Sequence, residues 1–493
     1  MSGCKGIAYV LAEIPAVAHA RPKACPTCML RIRDARGCLG RRDFLRVGGL
    51  GLGGLSLANL LQIDAIAAAA NSRPVTGKSV IFLFLHGGPS QIETFDPKMS
   101  APAGVRSVTG EIDTALPGVT FGSTFPRLAT LAKKLTIVRS FRTGDANHDI
   151  KPVVGKTTLG ANMGSLFARV AGTNDPVTGI PLNAALFPRA VDATAGPAVE
   201  QFGKFDSTGT LGAAYAPFVP GGGGSLQSDM ELRLDPTRID DRKSLLTALD
   251  RIRRDLDAKG ALPGADRFQE QALQTILGGV AKAFDLSHED VKTIARYDTA
   301  PLVRLEQISR KWNNYPRYVD NAKSLGKLLL LARRLCEAGC GFVTVTTNFV
   351  WDMHADQNNA GVEEGMQYMG LPLDHALSAF VEDCEARGLS DKILLVATGE
   401  MGRTPKINAK GGRDHWGGLA PLLFYGGGMK MGQVIGNSTA DAGEPQSEPY
   451  GNENLLATIM HALLDIGQVR LMTGLPQDLL RTITTPEPIK PLL

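Results

Sequence analysis

The chain has 493 residues, of which 43% are hydrophobic and 21% charged, and its 53 basic residues against 49 acidic give a formal charge of +4. That composition excludes a wholly disordered chain, and no uninterrupted apolar run approaches the ~20 residues that a permanent membrane span needs. Mild basicity points toward nucleic acid or an anionic surface only if it belongs to the folded body.

It does not. Arg41-Arg42-Asp43-Phe44-Leu45 precedes a weakly apolar, Gly-rich segment from Val47 to Ala58 and the small-residue run Ala67–Ala70. Together these read as a twin-arginine export signal, with Gly40 where Ser or Thr is usual. Asn59, Gln62 and Asp64 interrupt the segment and argue against a permanent anchor. Residues 1–70 hold nine Lys/Arg and four Asp/Glu, so a mature chain starting near Asn71 carries about −1. Nucleic acid is excluded as a partner on that ground. The expected partner during export is the twin-arginine translocase, and the expected location is periplasmic or extracellular. Cys25-Pro-Thr-Cys28 lies upstream of the signal and has no second pair to complete a zinc site.

The expected fold is α/β: a doubly wound, mostly parallel sheet with helices on both faces. Ser79–Leu85 is a continuous apolar run, as in a strand buried on both faces, and stops at His86-Gly87-Gly88-Pro89. A helix over Pro126–Ala132 leads to a second strand, Lys134–Arg139. Residues 157–225 are rich in Gly, Pro and Ala and read as loops. Apolar spacing then predicts helices over Asp240–Gly260, Asp266–Asp285 and His288–Arg296, so that about 157–320 forms an insertion. Strands follow at Gly341–Thr347, Ile393–Thr398 and Pro421–Tyr425, with helices at Asn321–Ala338 and Pro372–Arg387. A single domain over 71–485 results, with 486–493 as an irregular tail.

Ligands in open α/β sheets collect beyond the carboxyl ends of the strands. There the chain places His86, with Ser90, Glu93 and Asp96 after it; Thr143 and Asn147-His148-Asp149 at an expected helix start; Asp352 and His354; Glu400 and Arg403; and Asp414-His415 before the fifth strand. Four of the eight histidines stand at such points. One His at a loop is usually structural, but five successive strand edges carrying such groups are hard to explain by packing. Asp and His suit a divalent cation such as Zn²⁺ or Mn²⁺. Arginine beside them suits a tetrahedral oxyanion. Together they point to chemistry on phosphate or sulfate esters. Glu93 and Asp96 either orient the ligands or cap the Gly-Pro turn, and Asp414 either supports His415 or belongs to a turn. His288, His375 and His461 read as packed, and of Cys336, Cys340 and Cys384 at least one must stay free.

The order of motifs RRDFL, LHGGPSQIETFDPK, WDMH, GEMGRTP, GRDHWGG and NLLATIMHALLDIG resembles the domain of unknown function 1501 family, abundant in planctomycetes and placed within the alkaline phosphatase/sulfatase superfamily. The resemblance implies a metal-centred phosphatase fold and no particular substrate. It implies that Asp352 and His354 correspond to an Asp-x-x-x-His ligand pair shortened to Asp-x-His, Glu400 to a later Asp, and His415 to the final His. His86 then stands where a first Asp ligand is usual, and Arg403 near a second His. Thr143 and His148 lie nearest the nucleophile position, with Ser90 further off, and the sulfatase Cys/Ser-x-Pro-x-Arg motif is missing. The expected centre is one divalent metal, Zn, Mn or Ca, on Asp352, His354 and His415, with Glu400 and His86 as further ligands and Arg403 as anion clamp. Three readings follow. One is an exported hydrolase of an anionic ester, which the family's neighbours extend to glycans. Another is a degenerate member that binds an anionic glycan or a cell-surface partner without turnover. The last is phosphoryl or other group transfer.

Overall fold

The computed structural model describes residues 74–221 and 281–493, together with two short paired strands, Ile32–Asp34 and Gly37–Leu39. The expected export signal, Cys25–Cys28, the helix expected over 240–260 and most of that over 266–285 lie outside the described residues. Two compact units divide the chain, 1–73 and 74–493.

The larger unit is built on a seven-stranded sheet. Its strands are β1 (Ser79–Phe84), β2 (Leu135–Val138), β3 (Asn183–Leu186), β4 (Phe342–Thr346), β5 (Ile393–Thr398), β6 (Leu422–Gly426) and β7 (Gln433–Ile435). They lie in the order β7-β2-β6-β5-β1-β4-β3. All pairings are parallel except those of β6, which runs against β2 and β5. The physical reason for the apolar runs is visible in β1. Ile81 and Leu83 face one core cluster, while Val80, Phe82 and Phe84 face the other, and all five are at most 1% exposed. Truncating one such side chain, as in Phe82→Ala, costs about 3–5 kcal/mol. On the first side pack the long helices α2 (Tyr315–Glu337) and α3 (Val362–Ala386); on the second pack α1 (Met163–Ala171) and α4 (Asn452–Leu463).

Several expectations are corrected. The loop-like stretch 157–225 contains α1 and supplies the edge strand β3, whose side chains Ala184–Leu186 are too short a run to stand out. Helix α3 begins ten residues before the expected Pro372, which sits inside it. No helix starts at His148; its segment is irregular. The tail, expected to be irregular, forms a single turn at Lys490–Leu492, and Ile489 and Leu492 are fully buried in the second cluster. No helix among the described residues is long and apolar enough to cross a membrane.

The reversed β6 matters for function. Leu422, at its start, pairs with Thr398 and Val138, the ends of β5 and β2. The segment leading into β6, with His415, therefore reaches the same sheet edge as the loops that leave β1, β4 and β5.

Candidate metal centre

The loop after β1 shapes the floor of this edge through its backbone. Gly87 has φ +116°, and a Cβ there would lie 2.6 Å from the backbone nitrogens of Trp351 and Asp352. Only glycine allows that approach. The Gly87 N–H donates to both carboxylate oxygens of Glu400, at 2.8 and 3.1 Å, and the carbonyls of Gly87 and Gly88 accept from Arg403. Pro89 fits against Gly399, where a Cβ would come within 2.3 Å of the ring.

Asp352, on the loop after β4, is the hub. Its Oδ1 accepts from Arg403 Nη2 at 2.6 Å and lies 3.1 Å from His415 Nε2 and 3.4 Å from His148 Nε2. Its Oδ2 accepts from His354 Nε2 and Asn359 Nδ2, both at 3.0 Å. Burial alone would raise this carboxyl, but Arg403 and the three imidazoles hold it well below the usual carboxylate range. His148 is shifted the other way. Burial works to lower it, but hydrogen bonds to Asp352 and Glu400 more than offset that, and its pKa is raised. His354 is raised mainly by its bond to Asp352.

The two nitrogens of His148 have different tasks. Nδ1 lies 3.1 Å from Glu400 Oε1, an acceptor when ionised, so the proton belongs on Nδ1 and the Nε2 lone pair points into the site. His148 Nε2 is only 3.0 Å from His415 Nε2. The donor atoms of His148, Asp352 and His415 thus form a triangle with edges of 3.0–3.4 Å. A tetrahedral ion with bonds of about 2.0–2.2 Å separates its ligands by about 3.3 Å, so the donor set fits a divalent cation. With neutral imidazoles, Asp352, Glu400 and Arg403 leave one negative charge beside it. His415 is 34% and His354 23% exposed, against 12% for His148, so the triangle opens to solvent on the His415 side.

Local interactions hold these groups. The His148 segment is clamped by Lys151, whose buried ammonium reaches Asp145, Asp149 and the carbonyls of Asn147 and Glu400. Arg403 and His415 pair in a two-residue ribbon, Gly402–Arg403 against His415–Trp416. Gly417 allows that ribbon to pass within 2.5 Å, at its Cβ position, of the Asp145 backbone.

The structure brings together His148, Asp352, His354, Glu400, Arg403 and His415, and it rearranges their expected parts. His148 replaces His354 in the converging triangle, because His354 binds the far oxygen of Asp352. Glu400 stands behind His148 rather than in the triangle. Arg403, 1% exposed, is no free clamp: its donors go to Gly87, Gly88, the Arg413 carbonyl and Asp352. His86 is not at the centre. Its ring is packed among Phe84, Phe202, Phe205 and Phe349, neither nitrogen has a partner, and burial lowers its pKa to about 4. Thr143 Oγ1 is buried without a hydrogen-bond partner and touches none of the triangle's donors. Ser90 caps the short helix Gln91–Thr94.

The expected supporting acids lie elsewhere. Glu93 is fully buried in an ion pair with Arg413 at 2.9 Å. Asp96 faces Ser438, Lys98 and Arg139. Asp414 is exposed and accepts from Asn408, which also donates to the His354 carbonyl. Sequence reading missed Lys151, Asn359, Asn408 and Arg413. Only Lys151, two residues past Asp149, and Arg413, inside the GRDHWGG run, stood near a motif.

No protein of curated function matches this sequence. Among solved structures, similarity extends to the PsFucS1 sulfatase from Pseudoalteromonas sp., at 12% identity over 82% of this chain and 70% of that one, with a TM-score of 0.33. The phosphonate monoester hydrolase SpPMH from Silicibacter pomeroyi matches at 10% identity over 78% and 73%, with a TM-score of 0.31. The lipoteichoic acid synthase LtaP from Listeria monocytogenes matches at 10% over 81% and 77%, also at 0.31. The model of the family described as protein of unknown function, DUF1501, matches residues 77–492, and the chain belongs to that family.

Proposed function

We propose that this protein is an exported, metal-dependent hydrolase of phosphate or sulfate esters. The observation that carries the reading is the triangle of His148 Nε2, His415 Nε2 and Asp352 Oδ1, open on one side and backed by Glu400 through His148 Nδ1. Those three residues would hold the ion, as Zn²⁺, Mn²⁺ or Ca²⁺, and when bound it supplies a Lewis acid for an ester oxygen and an acidified water. The remaining work falls to the chain itself. Glu400 keeps the proton on His148 Nδ1, and His354, Asn359 and Arg403 fix the plane of the Asp352 carboxylate.

Metal analysis of the mature protein and a screen against aryl phosphate, phosphodiester, aryl sulfate and sulfated-glycan esters test the proposal. Stoichiometric metal with turnover that Asp352→Ala and His415→Ala abolish is the expected result. Inactive protein after reconstitution with each ion would reject hydrolysis. One observation favours a second reading, binding of an anionic glycan or cell-surface partner without turnover: Arg403, the arginine nearest the triangle, has its donors committed to protein groups. Metal-loaded protein that binds such esters unchanged would select it.

Export through the twin-arginine pathway rests on Arg41-Arg42-Asp43-Phe44-Leu45. Replacing both arginines by lysine should retain the precursor in the cytoplasm, read by fractionation. Unchanged export would discard the assignment.

A further inference from the structure

Arg317 is the third residue of the 23-residue helix α2, at the end where the helix dipole is positive and a cation is unfavourable. Its side chain is half-buried, and among the described residues it forms no ion pair and no side-chain hydrogen bond. Burial pulls its basicity down, and no carboxylate among the described residues offsets that. The other arginines inside the protein behave differently: Arg333, Arg403 and Arg413 are each matched by a carboxylate. A half-desolvated cation at the wrong end of a helix costs stability, and among the described residues the face of an aromatic ring is set against it in place of a carboxylate.

A contact with an aromatic ring locates it. The guanidinium carbon lies 5.7 Å from the centre of the Phe349 ring. Phe349 stacks on Phe202 at 4.5 Å and meets the ring of His148 at 4.6 Å. The start of α2 is tied to the same site by a second route. Asn313 and Asn314 bond Asn358 and Asn359, and Asn359 donates to Asp352. Arg317 is therefore held one aromatic ring away from the triangle, with guanidinium N–H groups that no acceptor among the described residues uses.

We propose that Arg317 is the anion-binding group of this site, recognising a phosphate- or sulfate-type oxyanion that enters along the Phe202–Phe349 wall beside His148, Asp352 and His415. The choice of oxyanion rests on the hydrolase reading above; the presence of an anion site does not. A guanidinium whose N–H groups are not engaged can offer two parallel hydrogen bonds to such an anion.

The test is calorimetric titration of inorganic phosphate and of sulfate into the mature protein, with and without Zn²⁺, comparing wild type with Arg317→Met. Methionine keeps a stem against Phe349 and removes the charge. The expected result is anion binding weakened about tenfold or more, with metal content retained and a melting temperature equal to or above wild type. Wild-type affinity in the Met variant overturns the proposal, and so does a wild type that binds neither anion. Absence of metal from the wild type would reject the hydrolase reading alone, since the metal-free titration still reports on Arg317. Should the Met variant not fold, Arg317→Lys is compared with Arg317→Gln: tighter binding by Lys supports the proposal, and equal binding overturns it.

Discussion

Two buried charge clusters in this protein look alike in composition and differ in what they leave unsatisfied. The first joins α2 and α3. Arg333, 1% exposed, reaches Glu289 at 2.6 Å and Asp383 at 3.1 Å and also pairs with Glu337. Arg334 and Arg387 add contacts to Glu289 and Asp383, and Tyr297 donates to Asp383. Three guanidinium groups face three carboxylates, so the charges cancel. Burial opposes ionisation of Glu289, but Arg333 and its neighbours hold its pKa down to about 2. The second cluster, around Asp352, also contains a buried arginine and carboxylates. There, however, two imidazole nitrogens and a carboxylate oxygen converge on one point from 3.0–3.4 Å apart. A charge-balanced network holds helices together; a convergence of acceptors asks for a cation.

That contrast can be broken most sharply at Asp352. Asp352→Ala should abolish metal binding and reduce turnover by about three orders of magnitude, and it should also leave Arg403 buried without its partner, at about 3–5 kcal/mol. Metal content by mass spectrometry and urea unfolding read the two effects separately, and retained metal would place the centre elsewhere. Arg333→Met should cost a similar 3–5 kcal/mol while metal stoichiometry stays at the wild-type value. Loss of metal in that variant would erase the distinction between the clusters.

A pH series gives a smaller effect of opposite sign in the two forms. His148 and His354 have folded pKa values above their unfolded ones, so in metal-free protein their contribution is complete below the unfolded value near 6.5 and is lost as pH rises through the folded values. Metal requires the deprotonated ring, so metal affinity should rise over the same interval. Denaturation midpoints with chelator and with Zn²⁺ should therefore diverge as pH rises; parallel curves would remove the histidines from the site. The smallest change is expected from His86→Phe. A ring with two unpartnered nitrogens among four phenylalanines should accept the substitution within about 1 kcal/mol and keep its metal. Metal loss there would return His86 to the centre.

The burial of β1 on both faces was readable from its apolar run, as were four more of the seven sheet strands and the clustering of polar residues at loop positions, while β3 and β7 were not. His86 shows where such reading stops. Its place after β1 made it look like a ligand, yet the motif around it acts through Gly87 and Gly88, whose carbonyls and N–H groups hold Arg403 and Glu400. Residue type reports what a side chain can do, and a backbone contact leaves no mark on it except the glycine. Strand β3 escaped because four residues of Asn-Ala-Ala-Leu carry too little apolar signal to separate from a loop.

The sequence alone determined the class of fold, the family, and the pool of residues from which the candidate metal centre is drawn, because hydrophobic periodicity and side-chain chemistry are local properties. Which members of the pool converge was decided only by tertiary structure. The reversed β6 brings His415 to the active edge, Glu400 turns His148 so that Nε2 faces Asp352, and the carbonyls after β1 engage Arg403. Those outcomes depend on hydrogen-bond contacts between segments up to 316 residues apart, which no local pattern encodes.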